Sequence, residues 1–319
     1  MPTRFTLVTA IALVVAACGG GDDTGPGAGG EVLVSGSSTV APISGLVAEL
    51  FQDENGDVSV TVDGPGTGDG FQLFCQDEID IADASRPIDE EETAACAENG
   101  IEYVELKIAF DGLAVMTHPD NDAVECLTFA DLYALVGPES QGVDTWSDAE
   151  AKAAELGSTT DLPDDLDLTI TAPGEESGTY DSFVEIALKE FGEPESTRPD
   201  YQASSDDNVI VQGIAGAEGS LGWVGFAYAE EAGDQVKTLE IDGGDGCVAP
   251  SAETIADGSY PLSRALYLYV NTARAAESPA LAAYVDYFLD DGITAVEEAG
   301  YVALPDDQLA ETVAAWEGR

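Results

Sequence analysis

The sequence predicts an α/β protein of two lobes joined by two strand crossings, and three observations lead there. Short β-branched strands alternate with segments of helical period, the pattern of a largely parallel sheet flanked by helices. Two long apolar stretches, Ile108–Met116 and Leu266–Val270, are placed to run between lobes. About 300 residues remain once an N-terminal leader is set aside, more than one hydrophobic core ordinarily serves. The lobes are then 31–110 plus 268–319, and 111–267.

The leader comes first. Arg4, the apolar run Phe5–Val15 and the small residues before Cys18 form an export signal, with an apolar run too short to cross a bilayer. Cys18 after Val15-Ala16-Ala17 resembles a bacterial lipobox, in which that cysteine is lipidated and becomes the first residue of the mature chain. Residues 19–30, rich in Gly, Asp, Pro and Thr, suit a flexible tether. An extracytoplasmic protein, periplasmic or held to the cell membrane by lipid, is expected.

The body of the chain repeats one grammar three times. The strand Glu31–Val34 leads through Gly36-Ser37-Ser38-Thr39 into a helix over 40–55, spaced by Val40, Ile43, Leu46, Val47 and Leu50. The strand Val58–Val62 leads through the glycine run 64–70, with Thr67 inside it, into a helix at Phe71–Cys75. The strand Leu166–Ala172 leads through Gly174-Glu175-Glu176-Ser177-Gly178-Thr179 into a helix over Tyr180–Phe191. Hydroxyls and unpaired backbone N–H groups at a helix start, beside the positive end of its dipole, make an anion seat. A single such junction is more often a plain helix cap; three of them point to one oxyanion site beyond the carboxyl ends of the strands. Gly66-x-Gly68-x-Gly70 lacks the closing Gly-x-x-Gly and a ribose-binding acid, so a dinucleotide loop is set aside.

Between the second and third junctions, Ile79–Pro87 reads as a strand ending in Asp83, Ser85 and Arg86. The planar guanidinium of Arg86 suits a tetrahedral oxyanion; its structural alternative is a surface pair with one of Glu90–Glu92. His118, the sole histidine, is expected to be structural. Beyond it, helices are expected at Phe129–Val136, Ala149–Leu156 and Asn208–Gly216, and a buried strand at Gly222–Phe226. The terminal helices are Ala280–Leu289, capped by Ser278 or Pro279, and Asp307–Trp316, begun by Pro305.

Ten Lys and Arg face 63 Asp and Glu, a net charge of −53. Such a surface excludes nucleic acid and anionic lipid as partners and fits solubility in a saline habitat. It also repels an anionic ligand, so capture must rest on short-range dipoles and hydrogen bonds, with salt screening the field beyond roughly 10 Å. With no CxxC and one histidine, neither metal nor cofactor is expected. Four cysteines remain after Cys18, allowing three pairings in an oxidising compartment. Cys75–Cys96 with Cys126–Cys247 is preferred because each bond then stays within one lobe.

Five motifs, in register over about 32–316, resemble the phosphate-binding proteins of Pst-type ABC importers. They are Gly36–Pro42, Ile81–Ile88, Glu176–Phe183, Asp207–Gly213 and Tyr260–Arg264. The resemblance implies a type II periplasmic-binding-protein fold, monomeric, closing on one inorganic phosphate and delivering it to permease subunits. It carries ligand roles onto Ser38, Thr39, Thr67, Ser177, Gly178 and Thr179. Many members of the family have an Arg just upstream of Ser-Gly-Thr; this chain has Pro173 there, and Arg86 is taken to substitute. A carboxylate can accept the proton of hydrogen phosphate, which sulfate lacks at neutral pH, and Asp83 is assigned that role with Ser85 beside it as a donor. The competing expectations are a binder of sulfate, molybdate or a phosphonate, a surface adhesin or phosphate sensor, and a secreted hydrolase with Ser177 or Ser38 as nucleophile. The hydrolase lacks a convincing base, since His118 would have to serve alone.

Overall fold

The computed structural model describes residues 29–164, 166–192 and 195–319. The export signal, Cys18 and most of the expected tether lie outside the described residues. The chain begins with β1 (Gly30–Gly36), α1 (Ala41–Glu54), β2 (Val58–Asp63), α2 (Thr67–Cys75), β3 (Ile81–Ala84) and α3 (Glu90–Glu98). It leaves along β4 (Tyr103–Thr117), a strand of 15 residues. There follow β5 (Cys126–Thr128), α4 (Phe129–Val136), α5 (Glu150–Glu155), β6 (Thr169–Ala172), α6 (Gly178–Phe183) and β7 (Gln202–Ala203). Next come α7 (Asp207–Ile214), β8 (Ser220–Gly225), α8 (Phe226–Ala232), β9 (Lys237–Thr238), β10 (Glu240–Asp242), β11 (Cys247–Val248) and α9 (Ala252–Ala256). The chain returns on β12 (Ser263–Asn271) and ends with α10 (Thr272–Glu277), α11 (Pro279–Leu289), α12 (Ala295–Glu298), β13 (Val302–Ala303) and α13 (Asp306–Glu317).

The main sheet runs β2-β1-β3-β12-β4-β8-β6-β7. Pairing is parallel within each α/β unit, β1 with β2 and β3, β6 with β7 and β8. It turns antiparallel where the crossing strands enter, β12 against β3 and β4, and β4 against β8, so the sheet is mixed rather than largely parallel. β4 changes partner midway: Tyr103–Gly112 pairs with β12, Leu113–Met116 with β8. Each half of the sheet is covered on both faces, as buried α/β strands require. Val32, Ile43, Phe51, Ile81, Leu268 and Phe288 fill one side of the first half, and Phe71, Phe74 and Tyr269 the other. Trp146, Phe183 and Trp223 anchor one side of the second half, with Met116, Ile210 and Val224 opposite.

Two local features differ from expectation. β1 starts at Gly30, paired with Val58, so the tether region ends inside the sheet. α2 starts at Thr67 rather than Phe71, and the glycine run has two other uses. Gly66, the N-cap, sits at φ +122, a left-handed backbone that a side chain disfavours. Gly70 lies within the helix, where a Cβ would come 2.4 Å from the Gly36 α carbon and 2.9 Å from the Ser35 carbonyl oxygen. α2 therefore packs backbone to backbone on the end of β1, which sets Thr67 on the same cavity as Ser38. Gly70→Ala is expected to cost about 1–3 kcal/mol in a urea titration by overpacking, and to weaken ligand binding by pushing α2 off β1.

Disulfides join Cys75 to Cys96, tying α2 to α3, and Cys126 to Cys247, tying β5 to β11 in a separate three-stranded sheet. Among the described residues no helix is long and apolar enough to cross a membrane.

Candidate functional site

Three chain segments meet where the two halves of the molecule face each other. The β1–α1 loop brings Ser37, Ser38 and Thr39, the start of α2 brings Thr67, and the residue after β3 brings Ser85. All five hydroxyl residues line one cavity of about 270 Å³. The opposite wall is α6 and the turn after it: Tyr180, Asp181, Val184 and Glu185, with Glu195 nearby. α6 continues through a π-helical turn, Val184–Leu188, and a 3₁₀ turn, Lys189–Phe191, so the helical run expected over 180–191 is present with a changing pitch.

Local chemistry fixes each hydroxyl. The Ser37 hydroxyl oxygen accepts the N–H groups of Thr39 (3.2 Å) and Val40 (3.3 Å), closing the turn that leads into α1. Ser37 is itself held by its own N–H, which donates to the Asp83 carbonyl at 2.8 Å. Thr67 and Ser85 hydroxyls lie 3.0 Å apart, and the Ser85 N–H donates to the Thr67 oxygen at 3.2 Å. Across the cleft, the Ser38 hydroxyl donates to the Asp181 carboxylate at 2.9 Å, and the Thr39 and Ser182 hydroxyls are 3.2 Å apart.

The third junction behaves partly as a cap. The Ser177 oxygen accepts the Thr179 N–H at 3.2 Å. Gly178 packs on the first loop, where a Cβ would lie 3.4 Å from the Ser38 carbonyl oxygen and 3.7 Å from the Thr39 α carbon. Gly178 thus sits against the Ser38–Thr39 segment, while the wall of the cavity is the next turn of the helix, and Ser177 and Thr179 are not among its lining residues.

The structure does not bring Asp83 and Arg86 to the places expected of them. Asp83 alternates with Ala82 and Ala84 along β3, so its side chain points with Ile81 toward α1 and α11, away from the cavity. It is fully buried, and neither carboxylate oxygen has a hydrogen-bond partner among the described residues. Burial pushes its pKa up from 3.8 to about 7, with the neighbouring Ser44 hydroxyl drawing it slightly down. Arg86 takes the alternative that its sequence neighbours offered. Its guanidinium forms a bidentate pair with Glu92 at 2.7 and 2.8 Å, which raises its pKa, and the side chain is 42% exposed. It lines an adjoining cavity, shared with Arg264, rather than the first one, and among the described residues no bond of its guanidinium reaches the opposite wall.

Arg264, on β12 directly opposite Asp111 of β4, lines the same adjoining cavity but bonds to both walls of the cleft. Its Nη2 donates to the Thr39 hydroxyl at 3.0 Å and to the Ser182 hydroxyl at 2.8 Å, its Nε lies 3.4 Å from Asp111, and its Nη1 pairs with Glu185. Asp181 and Ser182 lie within the motif Glu176–Phe183, and Arg264 ends the motif Tyr260–Arg264. The usable signal for the first two was helical spacing, which puts residues three and four beyond Gly178 on its face of α6. His118 accepts the Asp120 N–H in a turn away from the cavity. The trio Cys126, Glu240 and Cys247 has metal-like spacing, but both sulfurs are taken by the disulfide.

Two α/β halves joined by crossing strands, with helix starts and hydroxyls converging between them, define a solute-binding protein built to enclose a small polar ligand. A family model described as a PBP superfamily domain matches residues 21–292. SphX of Synechococcus elongatus is 41% identical over 276 residues, covering 86% of this chain and 77% of SphX. The phosphate-binding protein PstS of Staphylococcus saprophyticus is 34% identical over 308 residues, 96% of this chain and 91% of its own. A crystal structure of a possible phosphate binding protein from Planctomyces limnophilus superimposes with a TM-score of 0.81 at 37% identity, covering 90% of this chain and 98% of that one. The chain belongs to the PBP superfamily and, within it, to the family of the PstS phosphate-binding proteins.

Proposed function

We propose that this chain binds inorganic phosphate outside the cytoplasm and hands it, unaltered, to the permease of an ABC importer. The observation that carries the reading is the convergence of Ser37, Ser38, Thr39, Thr67 and Ser85 on one interlobe cavity. Hydroxyl donors at helix starts stabilise an oxyanion without a free cation, which a protein of net charge −53 has few means to supply. The family's named phosphate binders narrow the oxyanion to phosphate. Residues 31–110 with 268–319 form one lobe and 111–267 the other, with closure at the point where β4 changes partner. Cys18 carries the lipid anchor of a monomeric receptor, and Ser177, Gly178 and Thr179 press the second lobe onto the first loop when a ligand is enclosed.

The acidic wall fits this ligand. Hydrogen phosphate offers a proton, and Asp181, already an acceptor from Ser38, is the carboxylate placed to receive it. Sulfate would leave that carboxylate unpaired against like charge, a mismatch that can reach on the order of 10⁴ in affinity. Isothermal titration of the phosphate-stripped protein tests this: saturable 1:1 binding is expected for phosphate, and none for sulfate or molybdate at the same concentration. With phosphate enclosed, the Ser38 O–H turns from Asp181 to the ligand, so Ser38→Ala is expected to weaken phosphate by about 1–3 kcal/mol, the loss of one donor to a charged acceptor. Sulfate binding as tight as phosphate would overturn the phosphate reading, and sustained turnover of a chromogenic phosphate ester would restore the hydrolase.

A further inference from the structure

One guanidinium stands where both lobes and the crossing strands meet. Arg264 belongs to β12, and its side chain is only 15% exposed. Its single Nη2 atom holds the Thr39 hydroxyl at the start of α1 and the Ser182 hydroxyl of α6, two groups that also touch each other at 3.2 Å. Thr39 and Ser182 are 2% and 1% exposed, so both bonds lie inside the closed contact. The charge is held from the hinge side by Asp111, its register partner on β4 and 5% exposed, and from the second lobe by Glu185. Separation of the lobes must break the bond to Thr39 or those to Ser182 and Glu185, and no hinge motion keeps all of them. Opening exchanges these charge-assisted bonds, held in fixed geometry, for water, so their surplus over hydration favours closure.

We infer that Arg264 is a latch: a positioning residue, anchored in the hinge by Asp111, that holds the lobes shut by bonding one hydroxyl from each. The inference rests on the proposed phosphate site only for its ligand readout. Arg264 acts through Thr39, by fixing that hydroxyl over the cavity, and a latch governs how fast a closed complex opens. Its loss therefore appears in release rather than in capture.

The test combines small-angle scattering of the protein without added phosphate with stopped-flow phosphate capture and release. Arg264→Ala is expected to enlarge the radius of gyration without phosphate and to speed release by about tenfold or more, with capture changed less than about threefold. Arg264→Lys keeps the charge beside Asp111 but lacks the planar fork, and its release is expected to stay fast. Ser182→Ala removes one arm from the second lobe, gives a smaller acceleration, and is non-additive with Arg264→Ala; it also decides the matter if the arginine variants fold poorly. Unchanged dimensions and release in Arg264→Ala, full rescue by Lys, or additivity with Ser182→Ala would each overturn the latch. Should the wild type bind no phosphate, the proposed function falls, while scattering still tests the latch by itself.

Discussion

Asp83→Asn is expected to stabilise the protein at neutral pH, with the gain over wild type growing by on the order of 4 kcal/mol between pH 4 and pH 7.5. The carboxyl is fully buried with both oxygens unpartnered, and burial lifts its pKa from 3.8 to about 7. The sign follows from proton counts. Below about pH 4 the folded and unfolded chains both hold the proton, so Asp83 costs nothing through ionisation. Between roughly pH 4 and 7 the unfolded chain has released it and the folded chain has not, so stability falls as pH rises. Above about 7 neither form holds it, and the full penalty persists. The facing Tyr284 phenol, raised by burial and then by the Asp83 charge, stays neutral throughout. Urea titrations of both proteins at four pH values measure the effect, and the difference between them cancels the many surface carboxylates. A pH-independent difference would mean that Asp83 is ionised in the fold or screened by water.

Replacing Cys126 and Cys247 by serine together is expected to cost about 5 kcal/mol, against about 3 kcal/mol for Cys75 with Cys96, because the first bond closes a far longer loop. The sequence separations are 121 and 21. The long bond also carries more of the local architecture, since β11-β10-β5 is a small sheet stitched between distant segments. Guanidinium unfolding of the two double variants under non-reducing conditions gives the ranking, and equal losses would place the stabilisation in native packing rather than in the unfolded chain.

What the sequence disclosed and what it hid follow from the range of the forces involved. Periodicity and capping are local, so α1, α4, α11 and α13 stand within a residue or two of expectation, Ser278 capping α11 as its position suggested. The loops that carry Ser38, Thr39 and Thr67 were legible because strand–loop–helix grammar fixes where a helix start points, whereas Ser85 came only as the end of the strand Ile79–Pro87. Partner choice among charged groups is not local. Arg86 has Glu92 six residues away, within reach before any tertiary contact forms. Arg264 meets its partners only once β12 lies beside β4 and α6 closes over α1. The glycine run was misread for a related reason: its demand was for close approach of β1 to α2, a distance between segments that no spacing within 64–70 reveals. Asp83 turned inward by strand alternation, since with Ala82 and Ala84 on one face it had only the other.

The placement of β12 between β3 and β4 has a consequence for how the molecule comes into being. The stretch 113–262, between the two crossings, is contiguous and can condense as soon as it is synthesised. The first lobe, although it leads the chain, lacks the middle ribbon of its sheet until Ser263–Asn271 arrives, and contacts so distant along the chain form slowly. The part made first is thus finished last, and it is the late-arriving ribbon that brings Arg264 to Thr39.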